Sequence, residues 1–195
     1  MRFESLDQVT DSFRERQAGL LYPLSEFYEE AGLSLPQVEE IDASRLPEPY
    51  KSLLAHENDM TPTLERFHHE SIRLRMLKHH HRGDVFSRQV VLLLIGNQKV
   101  VEFGAIRIYL RSFSPKAQRL IVEGQRPLGN ILASERIAHT SHPRAYVRVT
   151  ADEIIGQALQ AERSQSLYER RNVLLNSEQE TLAEILEILP VASQV

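Results

Sequence analysis

The stretch that decides the fold is residues 85–110, VFSRQVVLLLIGNQKVVEFGAIRIYL. An apolar run from Val85 to Ile95 meets the turn signal Gly96-Asn97-Gln98, and Val100 to Leu110 resumes with Val101, Phe103 and Ala105 alternating against polar neighbours. β-Branched residues on a period of two, broken by Gly and Asn, predict two strands joined by a tight turn. The phase shifts near Gly104, where Ile106, Ile108 and Leu110 take over, and this predicts a bulge or a close backbone approach.

Working outward, Arg82-Gly83-Asp84 predicts a turn into this pair from an earlier strand over Leu64–Met76. The tail repeats the pattern, with Leu167–Leu175, a polar turn over Asn176–Gln179, and Thr181–Leu189 ahead of Pro190. These two runs predict an antiparallel hairpin, and Ala145–Val149 predicts one further strand. Helical spacing of Leu20, Leu21, Leu24, Phe27 and Tyr28 predicts a helix over Gln17–Leu33. A connector rich in proline follows, then a short helix over Tyr50–Glu57. Ser114-Pro115 predicts a capped helix ending at Gly124, Pro127 starts another, and Thr150 with Glu153 predicts a capping box. Strands joined mainly by short turns imply an α+β class: a twisted antiparallel sheet of about six strands with helices packed on one side.

Composition narrows the function. The chain has 195 residues, 42% hydrophobic and 26% charged, enough for one domain over 1–195. A net charge of −4 without basic blocks supplies no field for nucleic acid. The absence of cysteine excludes disulfides, thiolate zinc sites and cysteine nucleophiles. The first residues hold no apolar signal segment, and the run Val90–Ile95 is far short of the roughly 20 residues a membrane span needs. A cytoplasmic location with no membrane partner is expected. Eight histidines include His68-His69 and His79-His80-His81. Alternation leaves at most His79 and His81 on one face, so a solvated surface is expected for these, and likewise for His139 and His142. Arg170-Arg171 reads as a solvated pair.

Several segments, in order, resemble the chorismate lyase family: Asp59-Met60-Thr61, Ser87-Arg88-Gln89-Val90-Val91, the strand around Gly104, Gly124-Gln125-Arg126-Pro127-Leu128-Gly129, Arg170-Arg171 and Leu182-Ala183-Glu184. The similarity spans residues 59–190, and the helical part over 1–58 is divergent. The resemblance implies an enzyme that eliminates pyruvate from chorismate to leave 4-hydroxybenzoate, in a buried site without metal or cofactor, acting as a monomer or small homo-oligomer. It implies that Arg88 meets the substrate carboxylate, that the main chain at Met60 and Leu128 donates hydrogen bonds, and that Glu184 faces the ring oxygen as acid or base. Glu187 is the alternative acid. Three residues apart on a strand, the two carboxylates must face opposite sides. The competing function is a non-catalytic small-molecule-binding, effector-sensing domain of the same fold.

Overall fold

The computed structural model describes residues 6–191, and residues 1–5 and 192–195 of the expected unit lie outside them. Helices α1 (Leu6–Leu20) and α2 (Leu24–Glu30) come first, then strand β1 (Val38–Ile41), a 3-10 turn over Ala43–Arg45, α3 (Tyr50–Leu54) and α4 (Met60–His68). Next are β2 (Ile72–Arg82), β3 (Val85–Leu94), β4 (Val100–Tyr109), α5 (Pro115–Glu123) and α6 (Leu128–Ser134). The described chain ends with β5 (Thr140–Thr150), α7 (Glu153–Leu159), β6 (Ser166–Leu175) and β7 (Thr181–Leu189). Among the described residues no helix is long and apolar enough to cross a membrane.

Local chemistry explains most boundaries and the departures from expectation. Ser114 caps α5, its Oγ accepting the Ala117 N–H at 3.3 Å with Pro115 in the first turn. The single helix expected over Gln17–Leu33 is two, interrupted around Pro23, which lacks the N–H a continuous helix needs. The strand expected over Leu64–Met76 is the end of helix α4, a turn and the start of β2. Met60, Thr61, Thr63 and Leu64 are the buried residues of α4, a spacing that fits one side of a helix, and His69, at φ 54, ends it before Ile72. The cap of α7 is Asp152, whose carboxylate accepts the Ile155 N–H at 3.0 Å. Thr150 is the last residue of β5, paired with Ser166, two positions ahead of that cap.

The strands form one antiparallel sheet in the order β1-β5-β6-β7-β4-β3-β2, the α+β architecture expected from the alternation. It has seven strands rather than about six. The additional one, β1, lies in the proline-rich connector and pairs Val38 with Val149. On one face, α3 and α4 bury Leu53, Leu54 and Leu64 with Val90 and Leu92. On that same face α5 and α6 bury Ile121, Ile131 and Leu132 with Phe86 and Ile108. A second layer covers the other face, where α2 and α7 bury Phe27, Tyr28, Ile155 and Leu159 against Val91, Leu93 and Phe103.

The expected irregularity in β4 falls just before Gly104. Leu92 pairs with Glu102 and Leu93 with Val100, so Val101 is the extra residue of a bulge. A bulge re-aims side chains, and here Val101 joins the α3–α4 cluster, on the face that Glu102 already takes by alternation with Gly104 and Ile106.

Candidate functional site

The sheet face under α4 and α6 holds a buried cavity of about 60 Å³, several times the roughly 10–15 Å³ one water occupies. Its walls are apolar at Val90, Leu92 and Leu174, and Arg88, Glu102 and Glu187 add charge-bearing groups. Met60, the first residue of α4, and Leu128, the first of α6, also border it.

Arg88 sits on β3 between His79 of β2 and Ile106 of β4. It is 1% exposed, and its hydrogen bond to protein runs from Nη2 to the Arg126 carbonyl at 3.2 Å. Nε and Nη1 have no partner. Burial pulls its pKa down to about 10, which still leaves a cation at neutral pH. A guanidinium offers five donors in a planar fork, and burying them unpaired costs several kcal/mol unless a ligand completes them.

The two candidate acids of β7 separate as strand geometry demands. Glu184 is corrected out of the cavity. It lies on the face toward α2, where its Oε2 accepts the Tyr109 hydroxyl at 2.7 Å and its Oε1 is 3.7 Å from Arg171. Glu187 borders the cavity, and its Oε2 accepts Arg170 Nε at 2.7 Å. Arg170 is fully buried, contrary to the expected solvated pair, and also donates from Nη1 to the carbonyls of His56 and Asn58 at 2.9 and 3.4 Å. Burial, reinforced by the adjacent Arg170, holds the His56 pKa down.

Glu102 was not anticipated as a site residue. The signal for it was a lone acid within an apolar strand, two residues ahead of a glycine. It is 5% exposed, its Oε2 has no partner, and its pKa stands well above the usual carboxylate range, through burial first and the Glu187 charge second. Gly104 makes room for it: a Cβ there would lie 3.0 Å from Glu102 Oε1 and 3.1 Å from the Leu186 carbonyl.

Asp59 precedes α4 without capping it through its side chain. Both its carboxylate oxygens are instead 3.1 Å from His139 Nε2, so His139 is a paired, half-buried residue rather than a solvated one. His80 meets Glu30 at 2.6 Å, while His79 and His81 lie against Phe86 with ring centroids 5.8 Å away. Among the described residues no three His, Asp or Glu side chains are placed to share a metal ion.

No family model matches the sequence, and no curated protein matches it. Solved structures do. PhnF from Mycobacterium smegmatis superposes with a TM-score of 0.56 at 12% identity, over 71% of this chain and 65% of PhnF, so the chain spans about two thirds of that protein. The effector domain of PhnF gives 0.52 at 12% identity, over 68% of this chain and 88% of that domain. The ligand-binding domain of a GntR-family transcriptional regulator from Bordetella bronchiseptica gives 0.47 at 14% identity, over 62% of this chain and 86% of that one. At such identities the likeness is one of fold. The two with TM-scores above 0.5 are PhnF and its effector domain. The expectation of an enzyme, a chorismate pyruvate-lyase, is corrected accordingly: the solved structures that share this fold include PhnF and its effector domain.

Proposed function

We propose that this chain is a small-molecule-binding, effector-sensing domain that takes a small carboxylate into the cavity beneath α4 and α6 and holds it without transforming it. The observation that carries this reading is Arg88, buried, charged, and with two of its three nitrogens unpartnered beside the cavity. A carboxylate docking there accepts charge-assisted hydrogen bonds from the free N–H groups, which fix its position. Main-chain N–H groups at Met60 and Leu128 supplement the clamp, since the first N–H groups of a helix have no partner within it. The apolar walls favour a ring or short hydrocarbon body. Chorismate and 4-hydroxybenzoate are of this class.

The test is isothermal titration of the purified protein with benzoate, 4-hydroxybenzoate and chorismate, in wild type and in Arg88→Met. Saturable binding at one site is expected in wild type, with chorismate recovered intact. Affinity should fall at least ~30-fold in the variant, the lower end of what truncating a buried charge pair costs. Equal affinity in the variant, or no binding of any carboxylate, overturns the reading.

A further inference from the structure

From the same cavity we infer that Glu102 is a specificity-determining residue and that the ligand carries an amino group besides its carboxylate. The inference rests on the carboxylate reading and extends it to a second group of the ligand. Two carboxyl groups gather here, Glu102 and Glu187, and they face one guanidinium. Arg170 is already engaged, by Glu187 Oε2 and by the carbonyls of His56 and Asn58. Glu102 is therefore the surplus acid, buried and with Oε2 unpartnered.

Its carboxyl is placed by the strand, not by chance. It lies over Gly104, close to where a side chain on that residue would begin, and Gly104 pairs across the sheet with Glu187. Ile106, two residues further along β4, pairs with Arg88. Cation and surplus acid thus line the same small cavity with apolar walls, complementary to a ligand that carries both a carboxylate and a nitrogen.

The proton balance follows. Burial and the neighbouring Glu187 favour the protonated form of Glu102 in the free protein, against the pull of Arg170. When a ligand ammonium arrives, the Glu102 carboxylic acid loses its proton to solvent, and the carboxylate formed accepts hydrogen bonds from the ligand N–H groups. Each carboxylate then has a cation: the ligand's on Arg88, Glu187 on Arg170, and Glu102 on the ligand nitrogen.

The experiment is calorimetry near neutral pH with benzoate, 4-methylbenzoate, 4-hydroxybenzoate and 4-(aminomethyl)benzoate, each in buffers of different ionisation enthalpy. The amine should bind at least ~10-fold more tightly than benzoate, the gain from one charge-assisted hydrogen bond, and should release about one proton per site. Glu102→Gln should abolish that proton release and most of the preference while benzoate still binds. If benzoate or 4-hydroxybenzoate matches the amine and no proton is released from wild type, the inference falls and the carboxylate reading stands. If no carboxylate binds, both fall. The wild-type proton count decides the matter even if the variant does not fold.

Discussion

At the scale of single residues, two buried charge-bearing groups carry opposite lessons. Arg88 is kept charged in an apolar wall at a cost in stability that a ligand would offset. Replacing it by Met should therefore raise the melting temperature of the ligand-free protein while removing carboxylate binding, a trade that structural arginines do not show. Glu169 of β6 is completely buried, and neither of its oxygens has a partner. Burial pushes its pKa well above the usual carboxylate range, so the folded state holds a neutral acid where the unfolded chain holds a carboxylate. The folded state then binds more protons than the unfolded one. Stability contributed by this group is present below the ordinary carboxylate pKa and declines as pH rises above it toward the folded value. Glu169→Leu should raise stability at neutral pH by about 1–3 kcal/mol and flatten that decline, read from denaturant unfolding across pH. A variant less stable than wild type at neutral pH would refute this account.

At the scale of elements, the Asp59–His139 pair ties the start of α4 to the connection between α6 and β5, at the margin of the cavity. The hydrogen bond with Asp59 raises the His139 pKa against the opposing effect of burial. The stability this pair contributes is fully present below the unfolded histidine value of about 6.5 and is lost as pH rises through the higher folded value. Histidine proton chemical shifts followed through a pH titration should show His139 titrating above the ordinary value in wild type and returning toward it in Asp59→Asn. β4 and β7 meet at Gly104, where the Leu186 carbonyl is fixed in the ladder and cannot retreat as a side chain could. Gly104→Ala should accordingly destabilise the fold by about 1–3 kcal/mol and shift Glu102, weakening discrimination among ligands more than binding of benzoate itself. Calorimetry of that variant separates the two effects.

At the scale of the whole molecule, Arg170 links parts far apart in the chain: Glu187 in the sheet and the backbone at His56 and Asn58 leading into α4. Removing it strands a buried carboxylate and frees two carbonyls, so Arg170→Met should cost about 3–5 kcal/mol. Arg171→Met, next in sequence but half-buried, should cost less than about 1 kcal/mol. Comparable losses from both, in chemical denaturation, would contradict this division. The same linkage means that ligand binding stabilises the assembly as a whole, by about 2.7 kcal/mol at a hundredfold excess over Kd.

The sequence by itself determined the elements whose signals are local. Strands β3, β4, β6 and β7 follow from apolar alternation ended by turn residues, α5 from its Ser-Pro start, and the antiparallel α+β class from their succession. It also required Glu184 and Glu187 to face opposite ways, because that follows from the pleat alone. Tertiary structure decided the rest. Four residues, Val38–Ile41, carry too little pattern to announce a strand, and β1 exists because β5 offers a free edge to pair with. Which acid of β7 enters the cavity depends on the face that α4 and α6 cover. Whether Arg170 or Arg171 is buried depends on carbonyls more than a hundred residues away in the chain. Glu102 shares a face with Gly104 and Ile106 through the pleat, and it became part of the site because α4 and α6 cover that face. Faces, partners and burial are properties of contacts between distant segments, and no local period in a sequence encodes them.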